Sequence, residues 1–269
     1  MSVVAERGDE RYIFPQHPSE MDRLDVQHYA LQLTIGANYV APIGMPASIL
    51  DCGSGSGQWA HELCHQFPQA LVAGIDRRPG KSVRPPNFAF VQGDLLRGLP
   101  FASGTFDFVH QRLLVPAIPL SAWPDLIAEL VRVTRPGGWV ELVEADWRVE
   151  RAGPASERLV ELACRLGRPR GLDVDGGTFR TLDRSLVEAG LVDTERRTFE
   201  LPLGDWGGRV GSLMATDYRA AGIRLSQAYV ALDGISAEAC QELIRTASRE
   251  WEELRSGCVF AVAIGRKAG

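Results

Sequence analysis

Three acids and a histidine stand at the ends of apolar runs in the first half of the chain, beside a glycine-rich turn. The run Ser48-Ile49-Leu50-Asp51-Cys52-Gly53-Ser54-Gly55-Ser56-Gly57-Gln58-Trp59 reads as a buried strand that breaks into a loop and restarts as a helix. Glycine there permits positive φ and close approach of a ligand, while the new helix offers N–H groups to the same space. The G-x-G-x-G spacing is one residue tighter than that of dinucleotide binders. Asp51 would repel a pyrophosphate and welcome a cation or a ribose, so the loop favours a nucleoside without phosphates.

The elements that must position these groups follow directly. A second apolar run, 70–76, ends in Asp76, about 20 residues past the loop, where Rossmann-like sites carry the acid that binds ribose hydroxyls. A third, 88–92, leads into Gly93-Asp94-Leu95, and a fourth, 106–109, ends at His110-Gln111-Arg112. Any one of these acids could equally be a helix cap or turn residue. In an open parallel sheet, however, the carboxyl ends of the strands form the ligand crevice, so Asp51, Asp76, Asp94 and His110 converge.

These residues resemble the class I S-adenosylmethionine-dependent methyltransferases. Leu50 to Gly57 is similar to the family's first motif, Gly74-Ile75-Asp76 to its ribose acid, and Gly93-Asp94-Leu95 to its adenine contact. Leu130 to Val140, with Arg135-Pro136-Gly137-Gly138, is similar to the helix, turn and fifth strand that follow. The likeness covers residues 47–145. Tyr12-Ile13-Phe14-Pro15 with Arg23-Leu24-Asp25-Val26-Gln27-His28 resembles the LaeA-type and bacterial secondary-metabolism subgroup. One departure stands out: Pro79, Gly80, Pro85 and Pro86 leave room for a turn or two of the usual crossover helix before the third strand.

The resemblance implies an α/β, Rossmann-like, doubly wound and mostly parallel seven-stranded sheet. It also implies methyl transfer from S-adenosylmethionine, with S-adenosylhomocysteine as product and no metal. The implied cosubstrate contacts are Tyr12, Arg23, Asp51, Gly53, Ser54, Gly55, Asp76, Arg77, Gly93, Asp94, Leu95 and Gln111. Arg23 and Tyr12 would close on the cosubstrate carboxylate, although a solvated face serves Arg23 equally well.

Pattern changes divide one domain, 1–269, into an N-terminal cap (1–46), a core (47–201 and 258–269) and a helical insertion (202–257) before the last strand. A capping helix over 19–41 starts at Ser19 as N-cap. Helices over 156–167 and 178–190, a strand over 192–201, helices over 210–232 and 237–254 and a last strand over 258–264 complete the order. The insertion reads as a lid or substrate wall.

With 269 residues, 45% of them hydrophobic, the chain can bury a full core. A net charge of −5 without basic clusters disfavours nucleic acid. The five cysteines lack C-x-x-C spacing and fit reduced thiols in a cytoplasm. No apolar run is long enough for a membrane span. Lysine occurs only at 81 and 267, which fits a GC-rich bacterial coding bias. A small-molecule partner and a monomer or homodimer are expected.

Methyl transfer is an in-line displacement in which alignment supplies much of the acceleration. A base is needed only if the acceptor must lose a proton. His110 and Glu144 are the catalytic candidates, the former also readable as a loop-bonding histidine and the latter as a turn cap. His28, Trp147, Trp206 and Tyr218 are candidate substrate contacts, and with Tyr229 the aromatics could line an apolar pocket favouring an aromatic or terpenoid natural-product intermediate. Arg209, Arg219 and Arg224 could bind an anionic group on it. His61 and His65 lie i,i+4 with no third ligand in view, so an exposed helix face is the better reading. Oxygen, nitrogen and carbon acceptors all remain open, as does a cosubstrate-binding regulator without turnover.

Overall fold

The computed structural model describes residues 12–14 and 18–269. Strands β1 (Ser48–Cys52), β2 (Leu71–Asp76), β3 (Phe88–Gln92), β4 (Phe106–Arg112), β5 (Thr134–Glu150), β6 (Leu191–Pro202) and β7 (Gly257–Lys267) form one sheet of order β3-β2-β1-β4-β5-β7-β6. β1 to β5 are parallel, and β7 runs antiparallel between β5 and β6. The helices are α1 (Pro18–Ile35), α2 (Gln58–Gln66), α3 (Trp123–Val133), α4 (Pro154–Gly167), α5 (Gly177–Glu188), α6 (Gly208–Asp233) and α7 (Ala237–Glu253).

Alternation along the central strands sorts side chains to two cores. Ile49, Phe108 and Val143 meet Trp59, Leu63 and Trp251 on one face. Leu50, Val109 and Leu142 meet Leu130 and Leu182 on the other. Both faces of these strands are covered, which is why they read as continuous apolar runs.

Several expectations shift. α1 stops at Ile35, because Gly36 takes φ 77° and ends the helix there. Ser19 lies inside its first turn instead of capping it. β4 carries on through His110, Gln111 and Arg112, since Gln111 pairs with Cys52 and Arg112 with Val143. No helix forms between β2 and β3. That stretch instead braces the glycine loop: Lys81 N donates to Ser56 O at 3.0 Å, and a Cβ on Gly80 would stand 2.5 Å from the same oxygen. The segment 202–257 is not a detachable lid, because Met214, Ala215, Ala247 and Trp251 of α6 and α7 belong to the same core as Ile49 and Phe108. Among the described residues, no helix is long and apolar enough to cross a membrane.

Candidate functional site

A cavity of about 600 Å³ opens over the carboxyl ends of β1 to β4, within the roughly 300–1,000 Å³ usual for small-molecule sites. Its floor is the loop after β1, where Gly53 (φ 72°) and Gly55 (φ 53°) take left-handed backbone. The loop is internally held: Gly53 N and Ser54 N donate to Ile75 O at 2.8 and 3.1 Å, and Gly55 N donates to Asp76 Oδ2 at 2.9 Å. Most of its N–H groups are thus spent on β2, and Asp76 keeps lone pairs for a ligand. Burial raises the Asp76 carboxyl above the ordinary carboxylate range, against hydrogen bonds from Gly55 and Arg78.

Eleven of the twelve expected contacts, Tyr12, Arg23, Asp51, Gly53, Ser54, Gly55, Asp76, Arg77, Gly93, Asp94 and Leu95, line this cavity. Gln111 does not: it sits on the opposite face of β4 and donates to Glu144 Oε1 at 2.6 Å. Arg23 lines the wall but is already neutralised. Its Nε and Nη2 meet Glu20 at 3.0 and 2.7 Å, its Nη1 meets Asp217 at 2.6 Å, and its guanidinium lies 4.7 Å from the Phe14 ring centre. Tyr12 donates to Glu20 at 3.0 Å and so ties the N-terminal segment to α1, while Arg23 ties α1 to α6.

His110, expected as a base, does not line the cavity. Its ring stacks on Trp59 at 3.8 Å, its Nδ1 lies 3.2 Å from Asp51 Oδ1, and it is 1% exposed. Burial lowers its pKa, against the pull of Asp51. It supports Asp51 from beneath. Glu144 does line the cavity and accepts from Gln111 Nε2, Leu114 N (2.7 Å) and Val115 N (3.2 Å). Burial pushes its pKa up to about 7.

The cavity continues beneath a cover of Phe14, Trp147, Leu159, Tyr218, Leu225, Tyr229 and Trp251, drawn from the N-terminal segment, β5, α4, α6 and α7. Trp147 and Tyr218 are where the sequence suggested. Trp206 is not: it is 39% exposed, and its indole donates to Leu203 O. Arg209, Arg219 and Arg224 also lie outside the lining, and Arg224 pairs with Glu20 at 3.0 Å. His61 packs edge-on against Phe88, and among the described residues no group of acids, histidines and cysteines could hold a metal ion. Tyr229 also lines the cavity, as the sequence suggested, whereas sequence reasoning missed Asp217 and Trp251, whose only signal was their place in the helical insertion.

His28, expected against substrate, is buried outside the cavity, with Nε2 3.0 Å from Glu62 and Nδ1 3.2 Å from Arg112 Nη2. Burial and the Arg112 charge lower its pKa to about 4. A histidine depressed in the folded state stabilises above its unfolded value and loses that contribution as pH falls. The parental chain is therefore expected to lose stability between about pH 6.5 and 4, and His28→Gln to show a flatter melting profile over that window. Equal slopes in thermal melts of the two proteins would refute this.

A family profile described as a methyltransferase domain matches residues 49–138. Methyltransferase str3 of Strobilurus tenacellus is 34% identical over 132 residues, covering 48% of this chain and 47% of that protein. N-methyltransferase sirN of Leptosphaeria maculans is 27% identical over 273 residues, 96% and 95% of the two chains. The secondary metabolism regulator laeA of Aspergillus fumisynnematus is 27% identical over 208 residues, 72% of this chain and 54% of the relative. The match spans about half the length of the first of these curated relatives. A Haemonchus contortus phosphoethanolamine N-methyltransferase, solved with S-adenosylhomocysteine, shares the fold at TM-score 0.53 and 14% identity, over 97% of this chain and 60% of that one. Residues 49–138 thus carry a methyltransferase domain, and the chain is similar to methyltransferases and laeA regulators of fungal secondary metabolism.

Proposed function

We propose that the protein transfers a methyl group from S-adenosylmethionine to a small molecule with an apolar, aromatic or terpenoid body. One observation carries this reading: a single cavity joins a nucleoside-shaped floor to an aromatic compartment. On this reading Asp76 would accept from the ribose hydroxyls and Asp94 from an exocyclic amine, both on the wall of the same cavity. When bound, the cosubstrate supplies an electrophilic methyl on a sulfonium.

The chain's own residues would then align the acceptor and exclude water. Trp147, Leu159, Tyr218 and Trp251 enclose its apolar body. Glu144, the one expected base that faces the cavity, retains acceptor capacity on Oε2 and titrates near neutrality. Nitrogen is the first acceptor to assay, since the relative aligned across nearly both whole chains is named an N-methyltransferase.

Titration calorimetry with S-adenosylmethionine and S-adenosylhomocysteine should give one-to-one binding of each, and labelled cosubstrate should pass its methyl to apolar amines. Absence of heat with a folded protein overturns the reading. Binding without transfer to any small acceptor favours the regulatory alternative suggested by the laeA relatives.

A further inference from the structure

Four arginines line the cavity: Arg23, Arg77, Arg78 and Arg112. Arg77 and Arg78 follow β2, on the ribose side of the glycine loop. Arg23 has no free direction left, with both sides of its fork against carboxylates and its face on Phe14. Arg112 differs. It ends β4, one residue beyond the Gln111–Cys52 pairing, so it stands level with Gly53 on the side of the loop away from Asp76. Among the described residues its one side-chain hydrogen bond goes to His28 Nδ1, and no carboxylate forms an ion pair with it. Burial lowers its pKa, while Asp51, Glu62 and Glu141 act on it only from a distance.

We infer that Arg112, and not Arg23, receives the α-carboxylate of the cosubstrate's amino-acid tail, an assignment that rests on the nucleoside site proposed above. Arg112 is a half-buried cation on the cavity wall with no ion-pair partner among the described residues, which is costly, and a planar fork suits a carboxylate bidentately. A nucleoside anchored by Asp76 directs its 5′ substituent across Gly53, toward the end of β4. His28 is the positioning residue. It is neutral, takes the Arg112 N–H on Nδ1 and keeps Nε2 3.0 Å from Glu62, which Gln32 and Gln58 hold at 2.5 and 3.0 Å. The cap helix α1 and helix α2 thereby fix the anchor before ligand arrives.

The test compares S-adenosylhomocysteine with 5′-methylthioadenosine, which keeps the nucleoside and lacks the amino-acid tail. By calorimetry, Arg112→Gln should lose about tenfold to hundredfold in affinity for the first and stay within about twofold for the second. Arg23→Gln should keep the parental preference. His28→Asn should weaken S-adenosylhomocysteine binding in the parental chain and add nothing in the Arg112→Gln background, which a merely structural role would not produce. If Arg112→Gln binds both ligands as the parent does, the assignment falls while the nucleoside site stands. If the parent binds neither ligand, both fall together. Should Arg112→Gln fail to fold, Arg23→Gln decides alone: a lost preference there overturns the assignment, and a retained one sustains it.

Discussion

Asp76→Ala is expected to weaken S-adenosylhomocysteine binding by roughly a hundredfold to ten-thousandfold. The carboxylate would accept two ribose hydroxyls, and charge-assisted hydrogen bonds contribute about 1.5–3 kcal/mol each. The same side chain also holds Gly55 N at 2.9 Å and Arg78 N at 3.1 Å. Its removal therefore frees the loop as well as the ligand. Asp76→Asn separates the two effects, because an amide oxygen can still accept from Gly55 N while carrying no charge. The asparagine variant should recover part of the loss, and its melting temperature should lie near that of the parent. An affinity unchanged in Asp76→Ala, measured by calorimetry on a folded protein, would place the ribose elsewhere.

Glu144→Ala should both destabilise the domain and abolish most turnover. Three buried donors, Gln111 Nε2, Leu114 N and Val115 N, lose their acceptor, and stranding buried polar groups in this way costs about 3–5 kcal/mol. For a domain of this size that is a fall of about 10 °C or more in melting temperature. Turnover is expected to drop about a hundredfold to ten-thousandfold if Glu144 takes the acceptor's proton. Glu144→Gln preserves the shape and one acceptor oxygen, so its turnover discriminates. Loss of rate in a stable glutamine variant supports a base; a parental rate leaves Glu144 as the pin of the loop at 113–118 and nothing more.

That the strand-end acids line one cavity was legible because they obey a local rule. Asp51, Asp76 and Asp94 each follow an apolar run, and a parallel sheet brings such strand ends to one edge whatever the rest of the chain does. The remaining assignments depended on contacts between distant segments. Arg23 looked available until Asp217, 194 residues away, came to rest 2.6 Å from it. His110 and Arg112 share a face of β4, yet Trp59 covers the first and leaves the second open. No spacing within β4 encodes which of the two a helix will bury. The arginines at 209, 219 and 224 failed similarly, since the rotation of α6 about its axis is set by packing on α1 and α7, and Trp206, in the turn before α6, gives its indole N–H to Leu203 O.

The placement of β7 bears on how the protein comes off the ribosome. The strand made last lies between β5 and β6, joined to Trp139–Glu150 on one side and Leu191–Pro202 on the other. A nascent chain can therefore assemble β1 to β5 and the nucleoside floor early, but it carries two unpaired strand edges until residues 257–267 emerge. Long-range pairing of this kind is slow and leaves intermediates exposed to aggregation. The sheet is thus completed by a strand inserted between two others and not by one added at its edge, and a chain stalled shortly before β7 holds a formed floor and an open seam.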